Sequence, residues 1–231
     1  MNSELSGWLN IDKPLGYSSA KVVAIIKRML KVKKVGHGGT LDPLATGVLP
    51  ICINKATKTT EKMMSFEKEY LFEVTFGESR TTYDAEGDVI ETSDKIPTEK
   101  DILNIVPRFV GNIMQFPPVF SALKVGGKRA CDLVRENKKV ELEARLVKVC
   151  ELKFLGFLSE KVARFQVKCG KGFYVRSLAV DLAKALGSVG YVSYLRRLSV
   201  GCFNQNNILS LSDVENIIKN DNILINKLLQ L

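Results

Sequence analysis

Gly36-His37-Gly38-Gly39-Thr40-Leu41-Asp42-Pro43-Leu44-Ala45-Thr46-Gly47 brings four glycines, the only histidine of the chain and one aspartate together. Glycine takes backbone conformations that other residues avoid and lets a ligand or another backbone come close. Ahead of the stretch runs a basic segment, Lys31-Val32-Lys33-Lys34. Behind it comes an apolar run, Val48-Leu49-Pro50-Ile51-Cys52-Ile53, that reads as a buried strand. A contorted loop anchored to such a strand can hold one carboxylate rigidly in a cleft, with positive charge nearby. Pro43 removes a backbone donor and biases Asp42 away from helical geometry. The plain alternative is an ordinary glycine-rich turn in which Asp42 caps a helix, and composition alone favours it. A nucleotide-binding loop is excluded, because no Gly-Lys-Ser/Thr follows at the required spacing.

Charge narrows the partner. With 231 residues the chain can bury a sizeable core, and 45% apolar with 26% charged residues is ordinary for a globular protein. The net charge of +9 is not ordinary. It points to a polyanion, nucleic acid first and an anionic membrane second. Five cysteines make an odd number, none in a CxxC pair, which argues against a disulfide framework and, with a single histidine, against a zinc site. The N-terminal residues carry no basic region followed by an apolar core, so no secretory signal is expected. No apolar run is long enough to cross a bilayer. The expectation is a soluble cytoplasmic monomer without a membrane or metal partner.

Along the chain, Trp8 to Ile11 reads as a short strand, and Ser18 or Ser19 can cap a helix to about Leu30. Val22, Ile25, Ile26 and Met29 give that helix its apolar stripe. Lys21, Lys27, Arg28 and Lys31 charge the remaining face, which is either simply solvated or meets phosphates. Thr57 to Phe66 reads as a short helix. Lys68 to Phe76 alternates as a half-buried strand, with Tyr70, Phe72, Val74 and Phe76 on one face. Gly77 to Asp88 is a polar hairpin loop, and Thr98-Glu99-Lys100-Asp101 a capping-box start for a helix continuing to Gly111. Pro117-Pro118 rules out a helix there, and Ala130 to Glu136 is a short one. Strands are expected at Val140 to Glu143 and at Val162 to Val167. The segment from Cys169 to Leu178 opens a helix that runs through Leu186 and is closed by Gly187. Arg176 near its start opposes the macrodipole unless an acid partners it. Ser212-Asp213-Val214-Glu215 caps a last helix, and asparagine-rich residues end the chain.

Extended to Pro50, the glycine stretch resembles the signature of the TruB family of tRNA pseudouridine synthases. Other segments resemble that family too. They are the Asp12-Lys13-Pro14-x-Gly16-x-Ser18 turn, Lys68-Glu69-Tyr70, Pro117-Pro118-x-x-Ser121-Ala122-Leu123-Lys124, Lys171-Gly172-x-Tyr174-x-Arg176, and Tyr194-Leu195-Arg196-Arg197-Leu198. The likeness runs over roughly residues 7 to 199. It implies an α/β fold of α+β type, the pseudouridine synthase fold. That fold is a mixed, mainly antiparallel sheet, with flanking helices and loops around a central RNA-binding cleft. It implies one catalytic domain over 1–231, with the C-terminal RNA-binding extension of many bacterial members largely absent after about residue 200. The implied reaction isomerises the T-loop uridine of tRNA, bound through its T-arm, without a cofactor.

The resemblance also implies roles. Asp42 is the nucleophile, attacking either the ribose anomeric carbon or the uracil ring. Arg176 pairs with it, and a neighbouring cation offsets the rise in carboxylate pKa that burial under RNA brings. Tyr70, otherwise an ordinary core aromatic, stacks on the flipped base and can help remove the C5 proton. Tyr174 lines the pocket, Leu195 contacts substrate, and Lys13 and His37 belong to the binding surface. Two other classes are weighed. A non-catalytic tRNA-binding or folding module would keep the basic surface and aromatic platform without needing Asp42. A metal-dependent RNA hydrolase would need clustered carboxylates or histidines, and none are convincing.

Overall fold

Trp8, Leu9 and Ile11 seed the first strand, β1 (Gly7–Lys13), in which nearly every residue is buried on both faces of the sheet. The computed structural model describes residues 5–136 and 138–219. Its chain divides into two compact units, Met1–Tyr70 with Arg196–Leu231 and Leu71–Leu195. Helix α1 (Ser19–Leu30) follows β1, with the Ser18 hydroxyl accepting from the Lys21 amide as its cap. Val22, Ile26 and Leu30 turn inward, and Lys31 closes the helix in left-handed geometry. A short strand β2 (Val35–His37) leads into the glycine loop, and β3 (Ala45–Ile53) leads out of it. β3 lies between β1 and β2, antiparallel to both, in an unbroken register from Gly7↔Ile53 to Lys13↔Gly47. A 3₁₀ turn (Asn54–Thr59) and α2 (Thr60–Ser65) come next, Trp8 donating its indole N–H to the Thr59 hydroxyl. Trp8, Val48, Cys52, Met63, Val200 and Phe203 form the first unit's core.

The second unit begins inside β4 (Lys68–Phe76), whose strict alternation of burial matches the sequence pattern. Strands β5 (Glu78–Arg80) and β6 (Val89–Thr92) make the expected polar hairpin. Helix α3 (Glu99–Ile105) starts on the capping box of Thr98 and Asp101, a feature worth about 1 kcal/mol. It stops short of Gly111 because Pro107 tightens the chain into a 3₁₀ turn, Val106–Phe109. Next come β7 (Gly111–Gln115), the small hairpin β8 (Lys124–Val125) and β9 (Lys128–Arg129), and α4 (Ala130–Arg135). β10 (Arg145–Ser159) and β11 (Val162–Cys169) give the order β4-β11-β10-β7, the last three antiparallel neighbours. The core here is aromatic, Phe72 stacking on Phe165 at 5.4 Å between centroids with Phe154 tilted against the latter.

One expected strand is displaced. Val140 to Glu143 is not extended into the sheet; β10 begins at Arg145, paired with Gln115. Beyond Gln115 the chain runs into Phe116-Pro117-Pro118, and proline offers no donor for further pairing. Residues before Arg145 therefore lack a strand to join.

Helix α5 (Val175–Ala185) ends at Leu186 and Gly187, the latter at φ 69°, as a C-terminal glycine should. Strand β12 (Gly190–Val200) passes back into the first unit and pairs there with β13 (Phe203–Asn204). The last described helix, α6 (Leu211–Lys219), is capped by Ser210 rather than Ser212. The Ser210 hydroxyl accepts from the Asp213 amide at 3.0 Å, and the Asp213 carboxylate takes the Ser210 N–H at 2.8 Å. The asparagine-rich end lies outside the described residues.

Candidate active site

The glycine loop is built by its neighbours in the first unit. The Gly38 amide donates to Pro50 O at 2.8 Å. A Cβ at Gly38 would sit 2.2 Å from Met63 Cγ, so only glycine fits beneath the α2 side chain. Gly47 has φ 97°, and a Cβ there would lie 2.2 Å from the carbonyl of Arg197. The glycine pattern is thus a demand for close approach, as the sequence indicated.

Asp42 is partly exposed, and both residues beside it are pinned. The buried Ser19 hydroxyl accepts from Leu41 N at 2.8 Å and donates to Leu41 O at 3.0 Å. Pro43 O accepts from Gly16 N at 2.9 Å and from Lys13 Nζ at 3.1 Å. Asp42 O takes the Ala45 amide at 3.0 Å and the chain proceeds into β3, so no helix follows for Asp42 to cap. Lys13 is fully buried, and its ammonium donates also to Pro14 O and Tyr17 O. Arg197, 1% exposed, closes the loop from beneath: Nε donates to Val48 O at 2.7 Å and Nη2 to Gly39 O at 3.1 Å. Next to it in sequence, Arg196 makes a bidentate pair with Asp12 at 2.9 and 3.0 Å.

His37 sits at the loop entrance, its Nδ1 accepting from Gly39 N at 3.3 Å. Burial lowers its pKa from 6.5, the Arg197 charge lowers it further, and the Gly39 backbone opposes them. The neutral imidazole is the form this site favours. Tyr70, the fourth predicted residue in this unit, is buried with 8% of its surface exposed.

In the second unit Arg176 is the second residue of α5 and is buried. Its guanidinium donates to Thr82 O and Phe120 O, both at 2.9 Å, and lies 3.7 Å from a carboxylate oxygen of Asp84. An acid partner therefore offsets the unfavourable position at the helix start. Asp84 is itself held by the Thr82 hydroxyl at 2.6 Å and the Glu86 amide at 3.0 Å. Tyr174 is the residue before α5, and its backbone is gripped on both sides by the buried Gln115 amide at 2.8 and 3.0 Å. Leu195 is half-buried on β12.

Three residues went unnoticed in the sequence. Asp84 stood in the expected polar hairpin loop, Gln115 just ahead of the double proline, and Arg197 in the last family-like segment without a role of its own. Strand alternation was the available signal for Arg197, since Arg196 and Arg197 must face opposite ways. Among the described residues no group of three His, Cys, Asp or Glu side chains is placed to hold a metal ion. No described helix is long and apolar enough to cross a membrane.

Comparison with known proteins follows the same lines. The N-terminal domain of the TruB family pseudouridylate synthases matches residues 27–175, and the tRNA pseudouridylate synthase B C-terminal domain matches residues 176–230. A relative named tRNA pseudouridine synthase B, from Ehrlichia canis (strain Jake), is 51% identical over 206 residues, covering 89% of this chain and 68% of its own. One of the same name from Chelativorans sp. (strain BNC1) is 48% identical over 211 residues, covering 91% and 68%. Among solved structures, a chain of a Cbf5-Nop10-Gar1 complex superposes with a TM-score of 0.71 at 33% identity, covering 91% of this chain and 54% of that one. A chain of an H/ACA ribonucleoprotein bound to a substrate RNA containing 2′-deoxyuridine gives 0.73 at 27% identity, covering 97% and 58%. This chain spans little more than half the length of those solved chains.

Proposed function

The chain belongs to the TruB family of pseudouridylate synthases and is a tRNA pseudouridine synthase; from that premise we propose how its residues divide the work. The substrate is the T-loop uridine, uridine 55 of tRNA, presented on the T-arm. The reaction breaks the C1′–N1 bond, forms C1′–C5, and moves the C5 proton to solvent while N1 gains one. Nothing is oxidised and no cofactor is needed. The protein acts as a cytoplasmic monomer without metal, its catalytic domain covering 1–231.

The observation that carries the reading is the one aspartate of the glycine loop, with Leu41 and Pro43 fixed on either side of it. A nucleophile fixed in this way loses little entropy on reaching the reacting carbon. Asp42 attacks as the carboxylate, and Arg176 keeps it ionised once RNA covers it. Tyr70 stacks on the flipped base and assists removal of the C5 proton, Tyr174 lines the pocket and Leu195 touches the substrate. His37, neutral, holds the rearranged RNA rather than exchanging protons. Lys13 serves the substrate through Pro43, by setting the position of its neighbour Asp42.

Asp42→Asn tests the assignment. Pseudouridine and uridine have equal mass, so conversion is followed by release of a label from C5. Parent protein should release it and the variant should not, while RNA binding stays within about threefold. Release by the variant at the parental rate refutes Asp42 as nucleophile. No release by the parent, with RNA bound, favours a binding module.

A further inference from the structure

Between Asp12 and Asp42 the chain carries seven lysines or arginines and no acid. Lys13 is buried beneath the loop; the other six, Lys21, Lys27, Arg28, Lys31, Lys33 and Lys34, are all exposed. Resting on the reading of the chain as a tRNA-modifying enzyme, we propose that this basic face of α1 and the turn after it binds the sugar-phosphate backbone of the substrate tRNA, apart from recognition of the target base.

What carries the proposal is charge without a carboxylate counterpart, the Lys21 ammonium lying over the Tyr17 ring at 4.0 Å. Among the described residues no carboxylate pairs with any of the six. In the second unit several exposed cations pair, Arg129 with Asp132, Lys138 with Glu136, Lys139 with Glu141 and Lys153 with Glu151. Others there, such as Lys100, Lys124 and Lys161, make no ion pair with a described carboxylate. What sets the first region apart is seven cations in a stretch with no acid at all. Solubility alone would not leave one region so unbalanced. The helix C-terminus supplies only a partial negative charge. A polyanion supplies a whole one per phosphate.

The turn is also rigid, which phosphate binding rewards. Lys31 is fixed in left-handed geometry and Val32 is buried. Lys34 is held at both backbone groups by Asn54, O accepting at 2.9 Å and N donating at 3.2 Å. Three residues later comes His37 at the loop entrance. A membrane fits less well, because Val22, Ile26 and Leu30 of α1 point into the core and Val23, Ile25 and Met29 are only partly exposed. The exposed Leu15 ahead of the helix therefore has no apolar face beside it to insert with.

The test removes three charges without shortening the side chains, in Lys27→Gln/Arg28→Gln/Lys31→Gln. A control of equal net charge, Lys100→Gln/Lys153→Gln/Lys161→Gln, takes exposed lysines from the second unit. Binding to whole tRNA and to an isolated T-arm stem-loop is measured from about 50 to 500 mM salt. Each lost phosphate contact should lower the slope of log affinity against log salt by about 0.7–0.9. The triple variant should therefore lose about 2 in slope and about ten- to a hundredfold in affinity near 100 mM, while the control keeps the parental slope. A loss with both RNAs assigns the phosphates to the T-arm; a loss with whole tRNA alone assigns them elsewhere in the tRNA. A slope within half a unit of the parent on both RNAs overturns the proposal. So does an equal loss in the control, or a loss confined to vesicles of phosphatidylserine and phosphatidylcholine. Label release from C5 by the parent decides the catalytic reading separately.

Discussion

Arg197→Met isolates what one buried guanidinium does for the loop that carries Asp42. Methionine keeps the stem's packing and removes the donors. Arg197 is 1% exposed, and its two bonds end on Gly39 O and Val48 O, at either end of the segment containing Asp42. Leaving a buried carbonyl without its donor costs about 1–3 kcal/mol, so the two together cost about 2–6. Relief from burying the guanidinium itself returns part of that. The net expectation is a loss of about 2–4 kcal/mol. In a chain of this size that lowers the melting temperature by about 5–15 °C. Urea unfolding followed by far-UV circular dichroism and by Trp8 fluorescence gives the free energy, provided the two transitions coincide. Label release from C5, assayed well below the melting point and at saturating tRNA, gives the catalytic consequence. It should fall at least tenfold, because a shift of about 1 Å in a nucleophile costs about a hundredfold. Arg197→Lys, reaching one carbonyl at most, should fall between. A methionine variant within about 1 kcal/mol of the parent and equally active would refute the idea that Arg197 sets the loop.

Gly47→Ala places a Cβ 2.2 Å from Arg197 O at φ 97°, whereas Gly16→Ala at φ 76° meets nothing within 4 Å. The first should lose at least about 2 kcal/mol and most activity, the second only the left-handed strain of about 1–2 kcal/mol; equal losses in urea would rule out crowding at Gly47. The lowered His37 pKa means the unfolded chain binds a proton that the native chain does not, so stability falls as pH drops below 6.5. Melting of the parent against His37→Gln from pH 8 to pH 5 should show the parent's relative stability shrinking, and growth on acidification would reverse the sign. Asp181 acts oppositely: burial, partly countered by Lys184, pushes its carboxyl up to about 6, so the native state loses stability as pH rises through 4 to 6. Asp181→Asn should raise the melting temperature at pH 8 and leave it unchanged at pH 4; a rise at both would mean that packing, not charge, is at work.

What could be read in the sequence was whatever is local. The α1 cap at Ser18, the alternation of β4 and the capping box at Thr98 each follow from residues within a few positions of one another, and each lies where expected. The glycine loop was legible for a related reason, since crowding forces glycine whatever does the crowding. Errors came where a distant segment decides. The start of β10 is set by the prolines that end β7, some 30 residues earlier in the chain, and alternation within Val140 to Glu143 carries no information about that. The site divides along the same line. Asp42 could be singled out by its loop, but the groups that fix it are Ser19, Lys13 and Arg197, and only Lys13 was picked out, as a contact for substrate. A buried cation is costly unless its hydrogen bonds are met, and here they are met by backbone carbonyls. Carbonyls have no signature in a sequence, because every residue carries one. An arginine bound to carboxylates can be guessed from nearby acids; one bound to carbonyls reads as a surface residue until the fold is known. The six exposed cations between Asp12 and Asp42 are the converse case. Their spacing and the lack of any acid among them were plain from the start; the structure adds that all six are exposed and that no described carboxylate pairs with them.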